Sequence, residues 1–334
     1  MAGLYPALTI RGSGIAACCA ARLLSAGTVR ADAPVTPAAM SPVLLINPAS
    51  VQLLCDVVGS AGFLAGLPLV TRRVVLWGDS AAPLAMDHRG LVVEEHELLR
   101  RLWSTVSASS APPDSSEWSI ISSLTAAPSR QMAFGNRSAT AARVELTTHR
   151  SETCWIESVE AGWLFLVANG ATGGSLLAVG GSLDSLLAGS RLVAGQIQSC
   201  SAASSLFPVH PRIASPLCGS GWLACGSAAM AFDPICGEGV GHAVREAILA
   251  SACLRAILQG ANAAEVLAHY SARLLAGFSR HLENCKGFYQ TSDLPWWREQ
   301  MASLDAGSAW VHDQLSSFGN PRFRLSGFDL EALG

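Results

Sequence analysis

The sequence predicts an α/β protein in which a Rossmann-like βαβ domain carries an α+β insertion and is followed by C-terminal helices. Three observations predict this class. A strand, a glycine turn and a helix follow one another at the N-terminus, three short strands lie in the middle, and a second glycine-rich segment opens a late helix. The chain has 334 residues, half of them hydrophobic and 14% charged, which is enough to bury a sizeable core.

The first observation is an apolar strand, Leu8–Ile10, that runs into a small-residue turn and an alanine-rich helix. The turn consists of Gly12, Ser13, Gly14, Ile15, Ala16 and Ala17. In such a Gly-x-Gly-x-x-Ala turn the first glycine permits the tight bend, the second lets a pyrophosphate approach the backbone, and the alanine lets helix and strand pack closely. The pattern therefore predicts a dinucleotide-binding βαβ unit.

The unit is expected to continue through a loop rich in Ala and Pro into a second buried strand, Val43–Ile46. A continuous apolar run of this length is typical of a parallel strand. The residue after the second strand normally bonds the ribose hydroxyls of a dinucleotide, and here it is Asn47. An amide can make that hydrogen bond, although an acid is the usual residue.

The second observation is a set of short strands with turn residues between them, which predicts an antiparallel meander able to wall a pocket. These strands are Trp155–Ser158, Trp163–Val167 and Ser175–Val179. A long amphipathic helix is predicted over Ala263–Phe288. The predicted organisation is a discontinuous dinucleotide-binding domain (1–150 and 205–260), an antiparallel substrate-side sheet (151–204) and a helical, aromatic-rich C-terminal region (261–334).

The third observation is the segment from Gly221 to Gly241. An apolar run, Trp222–Cys225, predicts a buried strand, and Gly226–Ala229 predicts a tight turn. Asp233, Pro234 and three glycines then lead into a helix over Val240–Leu258. A glycine-rich loop that opens a helix directs backbone N–H groups and a partial positive charge at one place, so it suits an anionic or electron-rich ligand.

The two glycine motifs resemble those of the FAD-dependent monooxygenases of the p-hydroxybenzoate hydroxylase type and their halogenase-like relatives. The family's late motif is Gly-Asp-Ala-Ala, an apolar gap and Asp-Pro-x-x-Gly-x-Gly before a helix. Gly226–Ala229 and Asp233–Gly239 have that order and spacing. Ala133–Ala139 resembles the family's middle motif, Asp-Ala-x-Gly-Arg-Ser, in degraded form. The resemblance extends from the start of the chain to about Leu258.

This resemblance implies that the protein binds FAD. The first turn would receive the pyrophosphate, and the late loop would lie beside the isoalloxazine ring, where N–H groups and the helix dipole stabilise the charge of the reduced flavin. The implied cofactor-binding residues are Gly12, Gly14, Ile15, Ala16, Asn47, Arg137, Gly226, Ser227, Asp233, Pro234, Gly237, Glu238, Gly239 and Val240.

The implied function is that of an FAD-dependent oxidoreductase with monooxygenase activity. NAD(P)H would reduce the flavin as a transient reductant, and a flavin hydroperoxide would hydroxylate an aromatic or peptide-borne substrate. The expected partner is therefore a small aromatic molecule or a side chain of a partner protein. Halogenation is disfavoured, because halogenases of this group use a lysine near the flavin and the single lysine here is Lys286, in the tail.

Several departures from the family motifs favour an alternative function. Ser227 replaces the acid that holds the ribitol chain, and Asn47 replaces the acid after the second strand. Glu95 stands where an arginine is expected, and Ala133 replaces the acid of the middle motif. Each loss removes a hydrogen bond worth about 1–3 kcal/mol. The alternative is a flavoprotein-like accessory or partner-binding protein that has lost tight FAD binding and catalysis.

Three residues are candidates for a catalytic role. His242 lies in the first turn of the late helix, Glu238 lies in the glycine loop, and His210 lies in a Pro-Val-His-Pro segment that returns toward the flavin region in relatives. Each also has a structural interpretation. His242 could be a partly buried supporting residue, Glu238 could stabilise the helix N-terminus, and His210 could belong to a rigid loop.

Composition excludes other classes of function. The net charge of −3 gives no electrostatic support for binding nucleic acid or a membrane. The ten cysteines include no Cys-x-x-Cys pair and lie mostly in apolar segments, which predicts reduced thiols in a cytoplasmic protein without a signal peptide. The sequence shows no zinc-ligand spacing, so no metal site is predicted.

Overall fold

The computed structural model describes residues 8–24, 29–31, 42–106, 118–148, 152–170, 172–201, 203–204 and 206–333. The α-helices are α1 (Ile15–Leu23), α2 (Pro48–Val58), α3 (Glu95–Trp103), α4 (Leu183–Ala188), α5 (Gly239–Leu258), α6 (Ala263–Tyr289) and α7 (Pro295–Ser316). No helix within the described ranges combines the length and apolar character needed to cross a bilayer.

The strands are β1 (Leu8–Arg11), β2 (Val29–Ala31), β3 (Val43–Ile46), β4 (Leu69–Leu76), β5 (Leu84–Glu94), β6 (Trp118–Ile121), β7 (Arg130–Ala133), β8 (Ser138–Leu146), β9 (Thr153–Val159), β10 (Gly162–Ala168), β11 (Gly173–Gly180), β12 (Ile197–Cys200), β13 (Phe207–Pro208), β14 (Arg212–Ser215), β15 (Cys218–Gly219), β16 (Trp222–Ala224), β17 (Met230–Ala231), β18 (Phe323–Ser326) and β19 (Asp329–Ala332).

The N-terminal glycine turn belongs to a five-stranded sheet with the order β15-β16-β6-β1-β2. Strands β2, β1, β6 and β16 are mutually parallel, and β15 returns antiparallel to β16. Helix α1 is buried along nearly its whole length and packs against α5, because both consist largely of small residues on their facing sides. This arrangement confirms the predicted Rossmann-like βαβ core and the strand at Trp222.

The second strand of the βαβ unit is not the one predicted from the sequence. The parallel neighbour of β1 is β2, with Leu8 opposite Val29, whereas Val43–Ile46 pairs antiparallel with β5 in a different sheet. The sequence-based assignment was wrong because an apolar run does not specify its partner strand. The residue that follows β2 in the sequence is Asp32, which lies outside the described ranges.

The predicted meander is confirmed as the strands β9, β10 and β11. They form part of a larger sheet with the order β12-β8-β11-β10-β9-β4-β5-β3, to which β13 is attached through β8. Its pairs are antiparallel except for β4 and β9, which are parallel. The sheet therefore draws strands from both sides of residues 151–204.

The C-terminal helices pack against one another and against both sheets. Asn262 caps α6 by accepting hydrogen bonds from the N–H groups of Ala264 and Glu265, and this cap begins the helix at the predicted place. The apolar face of α6 carries Tyr270 and Phe278, both fully buried. Helix α7 contributes Trp297, whose indole N–H donates to the carbonyl of Val159 on the large sheet. The aromatic tail is thus a lid packed on the sheet.

Candidate functional site

The N-terminal turn has the backbone that a dinucleotide site requires. Gly12 has a φ of +126°, and a Cβ added there would lie 2.3 Å from Ser122 Oγ, so only glycine fits. Gly14 precedes α1 in an extended conformation, and no side chain caps this helix. A Cβ added to Gly14 would meet no atom of the described residues within 4 Å, so the N-terminus of α1 faces open space within the described part of the chain.

The late turn packs directly against the first one. Gly226 has a φ of +57°, and a Cβ added there would lie 2.8 Å from Ala16 Cβ. The chain therefore needs small residues on both sides of this contact. Two motifs that are far apart in the sequence thus form one continuous structure, as their resemblance to a two-part cofactor site implies.

A buried carboxyl group holds the late turn. Glu246 Oε2 accepts a hydrogen bond of 2.7 Å from the N–H of Gly226. Burial raises the pKa of Glu246 to about 8, although the Gly226 hydrogen bond and Arg245 oppose that shift. Glu246 is only 3% exposed, so it belongs to the core and not to the solvent-exposed side of α5. A carboxyl group flanked by Arg245 gives no local signal of burial.

Ser227 occupies the position of the family's ribitol-binding acid, and its hydroxyl is engaged within the protein. Ser227 Oγ donates to the carbonyl oxygen of Ser122 at 2.9 Å. The side-chain oxygen of Ser122 is itself buried and has no hydrogen-bond partner among the described residues. The Ser227 side chain therefore ties the late turn to the end of β6.

The loop before α5 is anchored by a buried ion pair. Asp233 Oδ2 accepts from Arg137 Nε at 2.9 Å, and both side chains are fully buried. The same oxygen accepts from the hydroxyl of Tyr289 at 2.9 Å, while Oδ1 accepts from the N–H of Ile235. Burial raises the pKa of Asp233, and the Arg137 guanidinium opposes this most strongly. Arg137 and Asp233 are thus brought together, as partners of each other.

Arg137 is surrounded by the C-terminal helices. Its Nη1 donates to Gln300 Oε1 at 2.8 Å, and its guanidinium carbon lies 4.8 Å from the centre of the Tyr289 ring. Trp163 donates to the Tyr289 hydroxyl, which extends this network to the large sheet. No local sequence pattern indicates that Tyr289 and Gln300 belong to it, because they lie far along the chain from either glycine motif.

The loop then leads into α5 without a side-chain cap. Pro234–Cys236 forms one turn of 3₁₀-helix, and Gly237 has a φ of +64°. A Cβ added to Gly237 or Gly239 would meet no atom within 4 Å. Glu238 occupies the N-cap position of α5 and makes no capping hydrogen bond. The N-terminus of a 20-residue helix is therefore open at Gly239 and Val240.

Of the catalytic candidates, His242 is the most constrained. Its ring stacks on Phe232 with centroids 3.9 Å apart and meets His281 edge-on at 6.0 Å. Its Nε2 lies 3.4 Å from Glu238 Oε2, an ion-pair distance without hydrogen-bond geometry. Burial and the nearby Arg245 and Arg280 lower the pKa of His242 to about 4, so the imidazole is neutral near pH 7.

His210 lies apart from this stack. Its Nδ1 is 3.2 Å from the carbonyl oxygen of Arg137, so it bonds the backbone of the middle motif. Asn47 likewise has a local partner, because its side-chain oxygen accepts from the N–H of Ser50 and caps α2.

One cluster of ligand-type side chains escaped the sequence analysis. Cys236, His281 and Cys285 bring their ligand atoms within 4.8 Å of one another. The two thiols are 3.6 Å apart, and His281 Nε2 already accepts from the N–H of Asp233 at 2.9 Å. Burial lowers the pKa of His281 to about 3, so this ring is a neutral hydrogen-bond acceptor that supports the loop.

Solved flavoenzymes share this architecture. The peptidyl tryptophan dihydroxylase QhpG, essential for tryptophylquinone cofactor biogenesis, is 17% identical with a TM-score of 0.74, covering 88% of this chain and 78% of its own. The FAD-dependent myxobacterial chondrochloren halogenase CndH is 14% identical with a TM-score of 0.74, covering 94% and 90%. A variant of HpxO from Klebsiella pneumoniae complexed with FAD is 15% identical with a TM-score of 0.61, covering 93% and 98%.

No protein-family model matches the sequence, and no curated protein is significantly similar to it. The structural likeness establishes the fold, which is the one shared by FAD-dependent monooxygenases and halogenases. The fold expected from the glycine motifs is therefore confirmed.

Proposed function

We propose that this protein is an FAD-dependent oxidoreductase with monooxygenase activity toward an aromatic or peptide-borne substrate. The observation that carries the proposal is the contact between the two glycine turns, in which Gly226 packs against Ala16. In a fold shared with flavoenzymes, this contact supports a two-part cofactor site, because it brings the two glycine turns side by side.

The residues present suit FAD at its charged parts. The N-terminus of α1 at Gly14 is uncapped and sterically open, as a pyrophosphate requires, and so is the N-terminus of α5 at Gly239. FAD, when bound, would supply the redox and oxygen chemistry. The chain would hold the pyrophosphate at α1 and stabilise negative charge at α5, while the pair of Arg137 and Asp233 keeps the loop in position.

NAD(P)H is proposed as the transient reductant. A small aromatic molecule or a side chain of a partner protein is proposed as the substrate. QhpG, a peptidyl tryptophan dihydroxylase of the same fold, supports the second substrate class. All ten cysteines are free thiols, which supports a cytoplasmic location.

The test is a titration of the purified protein with FAD, followed by flavin fluorescence. We expect binding with a Kd in the range of tens of micromolar or tighter. Gly14→Asp should weaken it at least about tenfold, because a carboxylate at the N-terminus of α1 repels the pyrophosphate. Gly62→Asp is the matched control, since an added Cβ meets nothing within 4 Å there either. If the parent protein shows no binding at about 100 µM FAD, the proposal fails.

The hydrogen bond from Ser227 to Ser122 favours a second candidate function. Ser227 has no carboxylate to hold the ribitol chain, and its hydroxyl already donates to the Ser122 carbonyl oxygen. The chain would then be an accessory or partner-binding protein that keeps the fold without tight FAD binding. Ser227→Asp distinguishes the two functions: if it confers FAD binding that the parent lacks, the accessory function gains support.

A further inference from the structure

A cavity lies next to α5. Its volume is about 820 Å³, within the range that holds a small organic molecule. It is bounded by α2, α5, α6 and the β18–β19 hairpin, and none of its lining residues belongs to Gly12–Ala17 or Gly226–Ala229. The two glycine turns themselves therefore do not line it, although Glu246, which holds the late turn, does.

The floor of the cavity is apolar. It includes Leu53, Met230, Ile248, Leu249, Leu274 and Phe328. Met230, Ile248, Leu249 and Leu274 are buried, so they are part of the packed core and form a rigid surface. Such a floor takes up a hydrocarbon or aromatic body by removing its surface from water.

The rim is positively charged. Arg245 on α5 and Arg273 and Arg280 on α6 all line the cavity, and none of them makes an ion pair with a described residue. Two acidic residues also line it. Asp56 accepts a hydrogen bond from Gln52, and Glu246 is buried with a pKa raised to about 8, so it is mostly protonated near pH 7.

The two arginines lie near a buried imidazole. Arg245 and Arg280 are the cations that lower the pKa of His242, the carboxylate of Glu238 lies 3.4 Å from its Nε2, and these residues all line an adjoining cavity of about 400 Å³. His242 Nε2 is buried and has no hydrogen-bond partner among the described residues. Gly277 lines both cavities, and its missing side chain leaves room between the cations. Glu238 and Glu283 line the smaller cavity, and Glu283 is already bonded to Lys286 and Ser308.

We propose that this cavity binds a small amphipathic anion, with its apolar body on the floor and its carboxylate or phosphate head at Arg245, Arg280 and His242. Arginine pairs with such heads through two parallel, charge-assisted hydrogen bonds. The ligand is distinct from FAD and does not require the flavin site to be functional.

Isothermal titration calorimetry of the full chain without FAD tests this proposal, with decanoate, decyl phosphate and decanol as probes. Decanoate and decyl phosphate should bind below about 1 mM, and decanol at least about tenfold more weakly. The two anionic probes distinguish a carboxylate head from a phosphate head. If decanol binds as tightly as both anions, or if no probe binds at about 1 mM, the proposal is wrong.

Variants locate the site. Arg245→Gln and Arg280→Gln should each weaken anion binding about tenfold while decanol binding stays the same, because each removes one charge-assisted contact. Arg100→Gln is the control, since Arg100 is an exposed arginine on α3 that pairs with Glu97. An equal loss in Arg100→Gln would show non-specific attraction and overturn the proposal. An FAD titration of Arg280→Gln separates the two sites, because loss of anion binding with unchanged FAD behaviour assigns the effect to this cavity alone.

Discussion

The two halves of the late glycine segment are held by two buried carboxyl groups that differ in kind. Asp233 holds the loop before α5 and has a cation, Arg137, at 2.9 Å. Glu246 holds the turn at Gly226 and is not within ion-pair distance of a cation among the described residues. Burial raises the pKa of both carboxyl groups. Asp233 has an ion-pair partner and a hydrogen bond from the Tyr289 hydroxyl that favour its charged form, whereas Glu246 has no ion-pair partner among the described residues.

This difference shows two ways in which a fold can hold backbone next to a binding site. A buried ion pair fixes geometry strongly, but each partner becomes indispensable once the other is buried. A buried neutral acid accepts an N–H hydrogen bond without needing a cation. It lowers the free energy of unfolding only as pH rises, because the unfolded chain can then release the proton that the folded protein retains. The two halves should therefore respond differently to mutation and to pH.

The largest effect is expected from breaking the ion pair. Asp233→Ala leaves the Arg137 guanidinium buried without its counterion and should lower the free energy of unfolding by about 3–5 kcal/mol. Chemical denaturation followed by tryptophan fluorescence measures this. Glu331→Ala removes an exposed partner of Arg324 and serves as the control, which should leave the unfolding midpoint unchanged. Equal midpoints for the two variants would show that the buried pair does not anchor the loop.

The second effect concerns Glu246 and pH. The pKa of Glu246 is about 8 in the folded protein and about 4.5 in the unfolded chain. As pH rises, the unfolded chain therefore loses the Glu246 proton before the folded protein does. The free energy of unfolding should be unaffected by this group below about pH 4.5 and should fall between pH 5 and 8.

Glu246→Gln keeps an oxygen acceptor for Gly226 and cannot ionise. It should be more stable than the parent at pH 8 by about 2 kcal/mol. Because the pKa difference changes the parent's free energy of unfolding by about 3–4 kcal/mol between pH 5 and 8, the order of the two proteins should reverse by pH 5. The gain at pH 8 is less than the full free energy of the pKa shift, because the buried Gln amide leaves N–H groups without hydrogen-bond partners. Urea denaturation at pH 5, 6.5 and 8 measures it. A difference that does not depend on pH would show that Glu246 is not the titrating group.

The smallest effect is expected at two matched glycines, one in each half of the late glycine segment. Gly226 and Gly237 both have positive φ, but only at Gly226 would a Cβ approach a neighbour, Ala16. Gly237→Ala should cost about 1 kcal/mol through backbone strain alone. Gly226→Ala should cost about 1 kcal/mol more, because the turns must separate. Thermal unfolding of both variants checks the difference, and equal losses would show that the contact between the turns is loose.

The sequence by itself determined the local features. The turn at Gly12, the start of α6 after Asn262 and the helix that follows Gly239 were all predictable, because glycine conformation, capping and amphipathic period depend on near neighbours in the chain. The meander of β9, β10 and β11 was predictable for the same reason, since its turns join adjacent strands.

Only the tertiary structure decided the rest. It paired β1 with β2 and moved Val43–Ile46 into the other sheet. It also buried Glu246 beneath Gly226 and joined Arg137 to Asp233, 96 residues further along the chain. The physical reason is that strand partners and buried charges are selected by packing between distant segments, whereas an apolar run or a single acid has the same sequence signature in either environment.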